Sequence, residues 1–124
     1  MFSPNPLRRI DHVQLAMPAG EEEAARKFYG VVLSLTELPK PPELAARGGV
    51  WFRSGEVLIH LGVDPEFHAA KKAHPAFSCT DYKGLVKRLE SQDIAVTVDP
   101  LPYGGKVHCY VNDPFGNRIE LIEG

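Results

Sequence analysis

The chain has 124 residues, 44% of them hydrophobic, enough for one compact domain with its own core. Its 14 basic and 16 acidic residues give a formal net charge of -2 and form no basic stripe, which argues against a dedicated nucleic-acid binder. Cys79 and Cys109 have no metal-binding or disulfide spacing, and no long apolar run marks a secretory leader or membrane span, so a cytoplasmic protein without membrane partners is expected.

Residues 9–17 alternate, with Val13, Leu15 and Met17 on one face and Ile10, His12 and Gln14 on the other, the period of a strand with one apolar face. Pro18 and Gly20 break the pattern. Glu21, Glu22 and Glu23 suit a helix amino terminus, and Ala25, Phe28, Tyr29 and Val32 follow at i, i+3, i+4 and i+7. Gly30 lies inside that stripe and costs roughly 1 kcal/mol relative to alanine, so the helix is expected to end near it. A short strand at 35–38 precedes Pro39-Lys40-Pro41-Pro42, which suits neither a helix interior nor a central strand. The loop to Gly49 holds at most one helical turn, at 43–46. Two strands, 50–53 and 56–62, turn at Ser54-Gly55, and 64–73 reads as a linker.

The same order then recurs. Residues 74–80 alternate, Asp81 is a good N-cap, and Tyr82, Leu85, Val86 and Leu89 repeat the helical stripe. Short strands follow at 94–98, 107–112 and 118–122. Asp113-Pro114-Phe115-Gly116 between the last two has proline and glycine where a type I turn favours them. Both halves therefore read strand, helix, strand, strand, strand. A βαβββ module alone leaves apolar sheet surface uncovered, so two are expected to pair. The fold class is α+β: one domain of two modules, 8–63 and 74–124, joined by the linker. Its curved mixed sheet carries the helices on the convex side and encloses a cavity on the other.

Ionisable residues collect on the strand faces turned away from the helices. His12 stands on the first strand of module one, His74 at the first strand of module two, and Glu120 on the last strand. His60 shares a phase with Leu58 and Glu56 on the last strand of module one. Two neutral imidazoles and a carboxylate can hold Fe, Mn, Ni or Zn as a divalent ion, with open positions for a substrate. The competing reading is structural: strand histidines usually just hydrogen-bond, and Glu120 pairs with a cation such as Arg118. Tyr110, in phase with His108 and Asn112, reads either as an acid, base or hydrogen-bond donor, or as a cavity-lining aromatic.

Ile10-Asp11-His12-Val13, the Phe28-Tyr29 helix, His74-Pro75-Ala76-Phe77 and the run from Tyr110 to Leu121 around Asp113-Pro114-Phe115-Gly116 resemble the vicinal oxygen chelate superfamily. That superfamily includes glyoxalase I, fosfomycin-resistance thiol transferases, extradiol dioxygenases and bleomycin-resistance proteins. The resemblance implies that His12, His74 and Glu120 are metal ligands, and that the metal polarises adjacent oxygens of a small substrate. Glyoxalase I carries a fourth ligand, a glutamate, on the last strand of module one, where this chain offers Glu56, Leu58 and His60. Tyr110 stands ten residues before Glu120, as does the active-site tyrosine of extradiol enzymes, but Leu101 occupies the place of their upstream histidine. The resemblance thus implies a metal-dependent lyase, thiol transferase, isomerase or dioxygenase, with Tyr110 and His60 as catalytic candidates and a homodimer as the assembly. The alternative it leaves open is a metal-free sequestering protein of the bleomycin-resistance kind.

Overall fold

The computed structural model describes residues 3–124. Alternation of apolar and polar side chains produces strands β1 (Val13–Met17), β2 (Thr36–Leu38), β3 (Val50–Ser54) and β4 (Val57–Val63) in the first module. In the second it produces β5 (Ala76–Cys79), β6 (Thr97–Val98), β7 (His108–Asn112) and β8 (Arg118–Glu123). Each module forms its own mixed sheet, ordered β1-β4-β3-β2 and β5-β8-β7-β6. In both, the first strand lies parallel to the last and the remaining pairs are antiparallel. The repeat read from apolar periodicity is thus a repeat of topology, and the α+β class with paired βαβββ modules holds. Among the described residues, no strand of one sheet is hydrogen-bonded to the other.

Helix α1 (Glu22–Ala25) does not stop near Gly30. It continues as a wider π-helical stretch, Arg26–Val32, closed by a bond from the Leu33 amide to the Phe28 carbonyl, 2.9 Å. The expected end fails because the widened turns keep Phe28, Tyr29 and Val32 all in the core, and burying those side chains outweighs the glycine's entropy cost. Pro42 opens a single turn, α2 (Pro42–Ala45). Helix α3 (Tyr82–Ser91) starts on the expected cap, with Asp81 Oδ1 accepting from the Gly84 amide at 3.1 Å.

One apolar cluster joins the modules: Met17, Tyr29, Phe52, Ile59 and Leu61 from the first pack with Leu89, Cys109, Ile119 and Leu121 from the second. A buried polar knot crosses the same boundary. The Asp113 carboxylate accepts from the Tyr29 hydroxyl (2.7 Å), the Asn117 side-chain amide (2.8 Å) and the backbone amides of Phe115 (2.9 Å) and Asn117 (2.8 Å). Asn117 also donates to the Ala16 carbonyl on β1 at 2.8 Å. Burial, and then the Asp113 charge, push the Tyr29 phenol well above its usual pKa, so it remains a donor. Gly116 completes the turn at a φ of 90°, a left-handed conformation that side chains rarely adopt.

Asp113→Ala strands four donors and is expected to cost about 3 kcal/mol or more in urea unfolding, with Tyr29→Phe costing about 1–3 kcal/mol. The Tyr82 hydroxyl is buried without a hydrogen-bond partner, beside the weakly accepting Cys109 thiol. Tyr82→Phe is therefore expected to raise stability by about 1 kcal/mol in the same assay.

Candidate functional site

Because the sheets pack through their apolar faces, the polar face of each turns away from the shared core. On the first sheet this face carries an aromatic stack. Trp51 and His60 are direct cross-strand neighbours on β3 and β4, with ring centroids 4.1 Å apart and planes 7° from parallel. The His12 ring lies on the other side of His60, again at 4.1 Å. Asp11 Oδ1 lies 2.9 Å from His12 Nδ1, which fixes that nitrogen as the N–H donor and leaves the Nε2 lone pair available. Burial, and then the neighbouring His12, push the His60 pKa down, which favours the neutral form of His60.

The second sheet gathers the other candidates. Glu120 on β8 is buried and lies between two imidazoles: His74 Nε2 is 2.9 Å from Oε1, and His108 Nδ1 is 2.7 Å from Oε2. Burial raises the Glu120 pKa, but the two histidines more than offset it and the net displacement is downward, which keeps the carboxylate ionised. His108 Nε2 meets the Leu101 carbonyl at 2.7 Å, so both its nitrogens face acceptors and both donate. The Leu101 carbonyl first, and then Glu120 and Asp99, raise the His108 pKa against the opposing effect of burial. His108 therefore holds Glu120 in place and has no lone pair to offer a metal. Tyr110 stands directly across from Glu120, and its hydroxyl donates to Asp99 Oδ2 at 3.1 Å.

His74 is held differently. Its Nδ1 donates to the Lys72 carbonyl at 2.9 Å, so a neutral ring aims its Nε2 lone pair at Glu120 Oε1. Two facing lone pairs at that distance need a cation between them, either a proton or a metal ion. Metal–nitrogen and metal–oxygen bonds of about 2.0–2.2 Å place adjacent ligands roughly 3 Å apart, so the pair fits half of a divalent-metal site. The third candidate ligand, His12, contacts Asp11 and His60 on the other sheet. Among the described residues, no three His, Cys, Asp or Glu side chains of one chain come together to hold a metal. The structure thus brings together His74, Glu120, His108 and Tyr110, and separately His12 and His60. Glu56 is exposed, next to β4 rather than on it.

His108 and Asp11 are the positioning groups that sequence reasoning passed over. Asp11 immediately precedes His12, and His108 shares a phase with Tyr110, so the signals were present but generic. Arg118, one cation that the structural reading offered Glu120, lies instead over the Tyr110 ring, its guanidinium carbon 4.1 Å from the centroid.

Two βαβββ modules, each with a histidine-bearing sheet face, are the architecture that this chain presents. Comparison supplies the family. The model of the Glyoxalase/Bleomycin resistance protein/Dioxygenase superfamily matches residues 9–121, and the chain belongs to that superfamily. It is similar to a glyoxalase family protein of Bacillus anthracis, 47% identical with a TM-score of 0.90, over 95% of this chain and 96% of that one. A lactoylglutathione lyase of Agrobacterium tumefaciens is 26% identical with a TM-score of 0.69, over 96% of each chain. A fosfomycin resistance protein of Listeria monocytogenes shares the fold at 14% identity, with a TM-score of 0.75 over 95% of this chain and 94% of that one. Among curated proteins none matches.

In chelator-treated protein, the His108 imidazole is expected to titrate above the usual histidine range when followed by NMR. A raised folded-state pKa stabilises fully below the unfolded value near 6.5, and that contribution is lost as pH rises through the folded value. The stability gap between wild type and His108→Asn should therefore narrow as pH climbs past neutral; a gap that widens would contradict the assignment.

Proposed function

We propose that the protein is a divalent-metal enzyme of the vicinal oxygen chelate type, acting on a small, oxygen-rich metabolite or xenobiotic. The observation that carries this reading is the His74–Glu120 pair, two donors with converging lone pairs at 2.9 Å, each held by a second group. His74 and Glu120 are two of the ligands. His12, with Nδ1 tied to Asp11 and Nε2 free, is the third, and it comes from a second copy of the chain. When bound, the ion supplies Lewis acidity toward adjacent substrate oxygens.

The chain's own residues would do the rest. Burial first, and then Asp99, raise the Tyr110 pKa, so its phenol keeps its proton and serves as a hydrogen-bond donor or acid beside Glu120. The neutral His60 ring, clamped between Trp51 and His12, is the base candidate on the opposing face. In this reading that face meets the His74–Glu120 face of a second chain, because the apolar side of each sheet is buried in the core that the modules and their helices share. Exposed apolar residues support a homodimer: Leu7 and Ile10 before His12, and Val98, Leu101, Tyr103 and Val107 beside the second half-site. The alternative, a metal-free sequestering protein, draws on the same aromatic stack as a flat binding platform.

Elemental analysis of the purified protein is expected to give about one equivalent of a transition metal per chain, lost in His74→Ala and in His12→Ala. Mixing the two inactive variants under subunit exchange should restore about a quarter of the sites, since each heterodimer rebuilds one wild-type pair of faces. Metal retained by both variants would overturn the assignment of His12 and His74 as ligands, and a wild type that takes up no metal would remove the enzyme reading in favour of the binding protein. No recovery on mixing would place all ligands within one chain.

A further inference from the structure

Next to the Glu120 pair, on the same face of the second sheet, lies a cavity of about 460 Å³. Its walls include Thr97, Tyr110, Asn112 and Arg118 from the strands, with Ala69 and Lys71 from the segment joining the modules. That segment is packed rather than loose. Phe67 meets Phe115 edge-on with centroids 6.4 Å apart, and a Cβ placed on Gly116 would stand 3.4 Å from the Ala69 side chain. The linker is therefore held against the β7–β8 turn, and Lys71 lines the same cavity as Arg118.

Two cations line this cavity and no carboxylate does. Among the described residues, no acid is in salt-bridge contact with Arg118 or Lys71. The nearby Asp99 is engaged with the Tyr110 hydroxyl and the Leu101 amide. Arg118 rests on the Tyr110 ring, which orders the side chain in advance and lowers the entropy lost on binding. Two cations offset by one neighbouring acid leave roughly a single positive charge, the complement of a monoanion.

We propose that this cavity is a carboxylate-recognition subsite, with Arg118 as the principal donor and Lys71 and Asn112 assisting. An arginine fork matches the planar pair of carboxylate oxygens. Arg118 and Glu120 are alternate residues on β8, so their Cα atoms are separated by roughly 7 Å. The carboxylate is then a distal handle, several bonds from the oxygens that approach His74 and Glu120. Resting on the reading given under Proposed function, the substrate class is a small carboxylic acid whose chelating oxygens lie away from its carboxylate. The handle site itself needs no metal.

Metal-free wild-type protein titrated with benzoate and with its neutral isostere benzamide, observed through arginine Nε–H and backbone amide NMR signals, tests the subsite independently of the metal. Benzoate should shift the Arg118 and Tyr110 signals while benzamide does not. Arg118→Ala should weaken benzoate at least roughly tenfold, and Lys71→Ala by a few-fold. Arg118→Lys, which keeps the charge without the fork, should fall between, and circular dichroism checks that each variant is folded. Equal shifts from the two probes, no response to benzoate, or unchanged affinity in Arg118→Ala would overturn the proposal. Displacement of benzoate by an equal concentration of inorganic phosphate would overturn the choice of carboxylate. A protein that binds benzoate in this way yet takes up no metal would retain the subsite and lose the metal-enzyme reading.

Discussion

The buried Asp113 carboxylate is the constraint on which the remaining geometry depends. It closes the turn between β7 and β8 through two backbone amides, and it ties that turn to the first module through the Tyr29 hydroxyl. A carboxylate taken out of water is costly unless its lone pairs are filled. Here four donors fill them, so any slippage between the modules would expose an unsatisfied charge. The Asn117 bond to the Ala16 carbonyl adds a second lock from the same turn to β1. The turn also fixes where β8 begins, and β8 carries both Arg118 and Glu120.

That lock decides which surfaces remain for function. With the apolar faces of both sheets joined in one core, the polar faces lie outside it. Each then carries its own cluster of histidines and aromatic rings. One face holds a stacked Trp51–His60–His12 ladder, and the other holds Glu120 between two imidazoles. In the proposed dimer, two identical chains would supply two complete pairings of these faces from one sequence. The two histidines proposed as ligands are prepared in the same manner, with Nδ1 tied to an acceptor and Nε2 left over. His108, by contrast, spends both nitrogens on acceptors and acts through Glu120.

Local chemistry reports all this unevenly. The β1 alternation, the Asp81 cap and the Asp113–Gly116 turn were legible because each depends on neighbours within a few residues. The helix of the first module was misjudged at Gly30, where local propensity lost to the burial of Phe28, Tyr29 and Val32. Of the partners that a structural role offered Glu120, Arg118 or another nearby cation, the tertiary structure supplies His108 rather than Arg118. Arg118 and Glu120 share a face of one strand, but the register of β7 puts the Tyr110 ring in reach of the guanidinium, while His74 and His108 claim the carboxylate.

The sequence by itself determined the order of elements, their doubling, the apolar faces and the residue types able to bind metal, because periodicity and turn chemistry act over short stretches of chain. Only the tertiary structure decided which of those residues meet. Glu120 and His108 are brought together by the β7–β8 register, and His74 reaches Glu120 through the parallel pairing of β5 with β8. His12 and His74 look equivalent in the repeated pattern yet lie just ahead of the first strands of two separate sheets. The physical reason is that burial of apolar surface fixes how the modules pack, and that choice is made over the whole core rather than at any one residue.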